Sequence, residues 1–202
     1  QRHSDIEELA ASSDFPVING LSDVEHPCQA ISDFLTILEK RGKIKGLKLA
    51  FVGDANNVAN SLMLASCMLG ADFSIATPGG YEPKAQVLRS ATDLCRHSGS
   101  ELVITNDPAK ATRDADVVYT DVWVSMGEEK EINKRRKAFG PFQVNSAIMS
   151  EAKPNSIFMH CLPAHRGEEV SSEVIDGPQS VVYDQAENRL HAQKAILVSI
   201  IH

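Results

Sequence analysis

The sequence predicts a doubly wound, mostly parallel α/β sheet with helices on both faces, plus flanking interdomain helices, and three observations predict it. From Leu47 onward short apolar runs alternate with longer amphipathic stretches, the rhythm that places helices over both faces of one sheet. The runs are continuously apolar and β-branched rather than strictly alternating, as expected of strands buried on both sides. At 202 residues the chain is long enough for one full domain with a real core and rather short for two.

In order, "LKLAFVG" (47–53) predicts a strand and "NVANSLMLASCMLG" (57–70) a helix ending at Gly70. "DFSIATP" (72–78) is the next strand, stopped by Pro78 and the "GGYEP" turn, and 83–97 the following helix. "ELVITN" (101–106) is a strand, followed by a short helix capped by Asp107 with Pro108 at its first position. "DVVYTDV" (116–122), "SIFMHC" (156–161) and "SVVYD" (180–184) complete six strands. Two helices flank the unit. "PCQAISDFLTILEKRG" (27–42) carries Ala30, Phe34, Ile37 and Leu38 on one face and closes at Gly42, and "AENRLHAQKAILVSIIH" (186–202) runs to the chain end. Before them lie a helix at 4–11 and a short strand at 15–20, the end of a preceding domain rather than a domain of their own. The chain begins at Gln1 without a methionine, which points to missing upstream sequence.

Composition narrows the function classes. With 43% hydrophobic and 23% charged residues the chain is globular, not fibrous or disordered. The formal charge is −7, and the basic run Lys134-Arg135-Arg136-Lys137 sits among Glu128, Glu129 and Glu131. That balance argues against nucleic acid as a partner and makes the run a solvated helix face. No stretch approaches the roughly 18 apolar residues of a membrane span, and the N-terminus lacks the features of a signal peptide, so a cytoplasmic location is expected. Cys28, Cys67, Cys95 and Cys161 are scattered singly and read as free thiols in a reducing compartment.

In an open parallel sheet, ligands bind at the carboxyl ends of the strands, and three exits here are polar: "GDANN" (53–57), "TDVWVSMGEE" (120–129) and "HCLPAHR" (160–166). The Rossmann-like rhythm makes "LAFVGDANN" suggest a dinucleotide fingerprint, but GxGxxG is absent and Asp54 stands where a glycine would admit the pyrophosphate. Asn56 and Asn57 read either as helix caps or as amides presented to a ligand. Asp121 reads as the partner of a cationic ligand group under a loop formed by Ser125-Met126-Gly127, or the stretch is a capped loop with an exposed Trp123. In "FMHCLPAHRGEEV", a zinc site would need His160, Cys161 and His165 bent onto one ion, and a Cys–His nucleophilic pair is disfavoured because neighbours leave a strand on opposite faces. No metal is therefore expected. Cys161 remains either an inert buried thiol or a substrate contact beside a Leu162-Pro163 backbone. His26 and Gln29 lie about one turn apart at a helix N-terminus, and Arg189 offers a guanidinium fork for an oxyanion.

Taken in order, "HPCQ", "GDANN", "DVWVSMGEE", "HCLPAHRGEEV" and "DQAENRLHAQKAI" closely resemble the ornithine carbamoyltransferases, from about Asn19 to the C-terminus. The resemblance implies transfer of a carbamoyl group from carbamoyl phosphate to the δ-amine of L-ornithine, giving citrulline and phosphate without metal or nucleotide cofactor. His26, Pro27, Cys28, Gln29, Cys161, Leu162 and Arg189 would then hold carbamoyl phosphate, Asn57, Asp121, Ser125 and Met126 ornithine, and Asp121 and Cys161 would act at the amine. It also implies a trimer, and a division into the end of a carbamoyl phosphate domain with its interdomain helix (1–42), an ornithine-binding domain (43–185) and a C-terminal helix (186–202). The family's Ser-x-Arg-Thr phosphate motif does not occur in these residues, so the chain alone is expected not to turn over. Rival readings are another amine such as putrescine, a non-catalytic amino-acid-binding unit, and a nicotinamide-dependent oxidoreductase.

Overall fold

In a computed structural model of the chain, residues 2–124 and 131–201 are described. After helix α1 (His3–Ser12) and helix α2 (Pro27–Arg41), the chain runs through β1 (Lys48–Val52), α3 (Asn57–Leu69), β2 (Asp72–Ala76), α4 (Ala85–Ser98), β3 (Leu102–Thr105), α5 (Pro108–Thr112) and β4 (Val117–Thr120). It continues through α6 (Ile132–Phe139), a 3₁₀ turn (Gly140–Phe142), α7 (Ser146–Glu151), β5 (Ile157–His160), α8 (Ser172–Ile175) and α9 (Val182–Ile200). The five strands are parallel in the order β3-β2-β1-β4-β5. The chain builds outward from β1 to β3 and then returns to the other side of β1 with β4. The switch point therefore lies between β1 and β4, where such sheets open a crevice.

Strand side chains divide between two cores by strict alternation. Leu49, Phe51, Phe73, Ile75, Val117, Tyr119, Ile157 and Met159 meet α2, α3 and α4 on one face. Ala50, Val52, Ala76, Val118 and Phe158 meet Ala111 of α5 and the α6–α8 side on the other. The helix ends follow local chemistry. Asp107 accepts from Lys110 N at 3.2 Å ahead of Pro108, and Gly42 (φ 72°) and Gly70 (φ 75°) end α2 and α3 in the left-handed conformation that costs glycine nothing. Helices α2 and α9 are joined by buried polar bonds: Asn188 Nδ2 donates to Thr36 Oγ1 at 3.0 Å and Gln185 Nε2 to Asp33 Oδ1 at 2.7 Å.

Four expectations are corrected. The run at 180–184 is not a strand: only Ser180 bridges Phe158, and Val182 opens α9. Val181 and Val182 are buried in the first and second cores respectively, and so short an apolar run fits a buried helix start as well as a strand. Residues 15–20 form no strand, since no described segment offers them a ladder and Phe15 is 80% exposed. Trp123 is buried, stacked near Phe139 at 6.3 Å between ring centroids. The basic run is not uniformly solvated: Arg135 points inward, donating to Asp54 Oδ2 at 2.7 Å and to the Trp123 carbonyl at 2.8 Å, with its guanidinium over the Tyr81 ring. A helix places successive residues about 100° apart, so one of four basic side chains in a row can turn to the core while its neighbours face water.

Candidate active site

The strand exits meet across the switch point. Leaving β1, Gly53 adopts φ 146°, and a Cβ there would lie 3.6 Å from Thr120 Oγ1 of the neighbouring strand. The chain then reaches Asn56, whose Oδ1 accepts from Val58 N at 3.0 Å and Ala59 N at 3.1 Å and so caps α3. The same amide's Nδ2 donates to Asp121 Oδ2 at 2.7 Å. Capping and site formation are thus one side chain's work, since an amide has a separate donor and acceptor. Asn57 turns away, donating to the Ser22 carbonyl at 2.7 Å and tying α3 to the segment before α2.

Asp121, just past β4, also accepts from Val122 N at 2.8 Å and from Cys161 Sγ at 3.0 Å through Oδ1. Burial, and then the adjacent Asp121 carboxylate, push the Cys161 thiol well above its ordinary pKa. The thiol is therefore held neutral as a donor to the carboxylate, not as a thiolate nucleophile. Leu162 follows with φ 58° and a cis bond to Pro163, its N–H donating to His160 Nδ1 at 2.9 Å. His160 is fully buried with Nε2 facing Glu169 Oε1 at 3.4 Å, and His165 lies against the same carboxylate. Both histidines thus belong to the scaffold of this turn.

Asp121, His160 and Cys161 offer possible ligand atoms within 4.8 Å of one another, a grouping that excludes His165. All three have partners: the Asp121 carboxylate receives three donors, one of them the Cys161 thiol, and His160 Nδ1 receives the Leu162 N–H, while His160 Nε2 makes no hydrogen bond.

On the facing side, His26 and Gln29 stand at the N-terminus of α2, with Pro27 and Cys28 between them. His26 N donates to Ser61 Oγ at 2.8 Å, while its ring Nδ1 is buried without a hydrogen-bond partner. Burial first, and then the Arg189 guanidinium, lower the imidazole's pKa and favour its neutral form. The Cys28 thiol, raised chiefly by burial, donates to the Asn19 carbonyl at 3.5 Å. Gln29 Nε2 donates to Asp33 Oδ1 at 2.8 Å, and its Oε1 accepts from Arg189 Nη1. With the Gln193 amide turned so that both groups are satisfied, Arg189 Nε and Nη2 reach its oxygen at 3.1 and 2.9 Å.

Beneath these groups lies a network the sequence reading missed. Asp33, fully buried, accepts from Gln29, from Gln185 and, at 2.9 Å, from Tyr119 OH. Burial raises its carboxyl to a pKa of about 7 against the pull of those three donors. Gln185 Oε1 in turn accepts from His160 N at 2.9 Å, so α2, α9, β4 and β5 share one set of bonds. The available signal was spacing: Asp33 is one turn past Gln29 on the same helix face. Ser125 and Met126 lie outside the described residues.

Comparisons with known proteins identify the family. Residues 45–200 match the family described as aspartate/ornithine carbamoyltransferase, Asp/Orn binding domain, and residues 1–39 match its carbamoyl-P binding domain. The chain is 59% identical to an anabolic ornithine carbamoyltransferase of Pyrococcus furiosus over 98% of its length and 63% of the relative's. It is 52% identical to a catabolic ornithine carbamoyltransferase of Thermoplasma volcanium, covering 98% of this chain and 65% of that one. The solved ornithine carbamoyltransferase from Pyrococcus furiosus superposes with a TM-score of 0.94 at 59% identity, over 98% of this chain and 63% of that one. The chain thus spans about 63% of the length of that relative, and it belongs to the aspartate/ornithine carbamoyltransferase family.

Proposed function

We propose that the protein carrying this chain transfers the carbamoyl group of carbamoyl phosphate to the δ-amine of L-ornithine, releasing citrulline and phosphate. The observation that carries the reading is the Asp121 carboxylate, fixed by Asn56 and Cys161 at the switch point. A carboxylate held by three donors attracts an ammonium group, and the neutral Cys161 thiol beside it limits where that amine can sit. The amine must lose one proton before its lone pair attacks the carbamoyl carbon. The C–N bond then forms as the C–O bond to phosphate breaks, the phosphate oxygen takes the electron pair, and the nitrogen gives up a second proton to the departing phosphate. His26, Pro27, Cys28, Gln29, Leu162 and Arg189 supply the carbamoyl phosphate side, where the His26 imidazole and the Arg189 guanidinium suit the carbonyl and phosphate oxygens. Ser125 and Met126 complete the ornithine side, while Asn57, whose amide is engaged by the Ser22 carbonyl and Val58 N, supports the start of α3 behind it. Holding two small substrates in register supplies the rest of the acceleration.

Under this reading 1–42 ends the carbamoyl phosphate domain and forms the interdomain helix, 43–185 binds ornithine, and 186–202 packs back toward the first domain. A homotrimer in the cytoplasm, serving arginine synthesis or degradation, follows from the family resemblance. Among the described residues, no helix is long and apolar enough to cross a membrane.

The test is an assay of the full-length protein for citrulline from ornithine and carbamoyl phosphate, with putrescine in parallel. Citrulline formation is expected, with no turnover by residues 1–202 alone. A full-length protein that carbamoylates putrescine but not ornithine would overturn the substrate assignment.

A further inference from the structure

Cys67 lies on α3 and Cys95 on α4, two helices packed side by side over the first core. Their Sγ atoms stand 2.7 Å apart, closer than two unbonded sulfur atoms ordinarily sit. The other two thiols are each directed at an oxygen, Cys28 at Asn19 and Cys161 at Asp121. The pair also differs in access. Cys67 is fully buried, whereas Cys95 is 8% exposed and lines an open groove of about 450 Å³ with Leu88, Thr92, Arg96, Ser100 and Leu102. At its edge Ser100 Oγ donates to Cys95 Sγ at 3.4 Å and to the Cys67 carbonyl at 3.5 Å.

We propose that Cys67 and Cys95 are a reversible disulfide site joining α3 to α4, oxidised through the groove by a low-molecular-weight disulfide. The Cys95 thiolate attacks one sulfur of the small disulfide, breaking its S–S bond, and one small thiolate leaves and takes up a proton. Cys67 then loses its proton and attacks Cys95 Sγ, forming the protein disulfide and expelling the second small thiolate, which is protonated in turn. Two protein thiols give up two electrons and two protons, and one small disulfide becomes two thiols. Access makes Cys95 the attacking residue. Cys67, whose thiol is held protonated by burial and by its neighbour, is the slow resolving partner. The cross-link spans 28 residues of sequence and ties the Asn56-bearing helix to α4. It lies roughly 15 Å along α3 from the residues at the switch point, and it does not depend on which reaction the protein runs.

The test uses the purified chain with glutathione disulfide, followed by denaturation, alkylation and mass analysis without reductant. The expected product is 2 Da lighter than the reduced chain, by loss of two hydrogens, and alkylates at two cysteines instead of four. A tryptic digest should join peptide 49–84 to peptide 90–96. The melting temperature should rise by roughly 5–10 °C and return on adding dithiothreitol. Since this mapping needs no variant, a poorly folding Cys67→Ser chain would not obscure it. Four alkylated cysteines in a natively folded chain after prolonged exposure, or a stable glutathione adduct on Cys95 that never resolves onto Cys67, would overturn the proposal.

Discussion

The Cys161 thiol donates to Asp121 Oδ1 at 3.0 Å while Asn56 donates to Oδ2 of the same carboxylate at 2.7 Å. Residues from three strand exits thereby meet at one carboxylate, at the point where the sheet reverses its order. Under the proposed reading that carboxylate is the group that receives the amine of ornithine.

Replacing Asp121 with Asn in the full-length protein should weaken ornithine binding by roughly 10- to 100-fold, the weight of about 1.5–3 kcal/mol for a hydrogen bond to a charged group. Cys161→Ser should weaken ornithine binding and turnover less, by about tenfold, and leave the urea midpoint nearly unchanged. Calorimetric titration and citrulline assays check both. A large loss of folding stability in Cys161→Ser with normal kinetics would return Cys161 to the role of an inert buried thiol.

Asn56→Ala should cost about 1 kcal/mol of stability through the lost α3 cap and should also weaken ornithine binding, because the Asp121 carboxylate loses a donor. If denaturant melts show the stability loss while ornithine affinity stays at the parent value, the amide is a cap and nothing more.

Asp33 carries a pH signature. Its folded pKa of about 7 lies above the ordinary 3.8, so between these values the folded state binds more protons than the unfolded one. Its contribution is fully present below pH 4 and is lost as pH rises through 7, on the order of 4 kcal/mol in all. His26, whose pKa is lowered from the ordinary 6.5, acts with the opposite sign, so the comparison must be with Asp33→Asn, which keeps His26, Tyr119 and Arg189. Urea melts from pH 4 to 8 should show a smaller decline for Asp33→Asn than for the parent. Parallel curves would show that Asp33 ionises no differently in the two states.

Asp54→Ala should destabilise the chain by about 3–5 kcal/mol through loss of the buried Arg135–Asp54 ion pair. Arg135→Met should cost less, since a flexible apolar chain can fill the space beside Tyr81 and Phe139 and removes the buried charge itself. Denaturation midpoints for the two variants decide the order.

Strand positions β1 to β5, the caps at Asp107, Gly42 and Gly70, and the polar exits carrying Asn56, Asp121 and Cys161 were legible because each rests on local chemistry: periodicity, a fixed proline φ, a glycine's freedom, a cap's acceptor. The helical start at Val182, the inward turn of Arg135 and the burial of Trp123 were not, because an apolar pair or a single cation acquires its environment only when distant segments close around it. The amides show the boundary most sharply. Sequence alone placed Asn56 and Asn57 at the start of a helix, and only tertiary structure decided that Asn56 reaches Asp121 while Asn57 reaches Ser22. The Asp33 network was only partly legible for the same reason, since spacing links Gln29 to Asp33 but not to Tyr119 or Gln185. A carboxyl with a pKa near 7 is a property of burial among Gln29, Tyr119 and Gln185, groups that meet only once α2, α9 and β4 have packed.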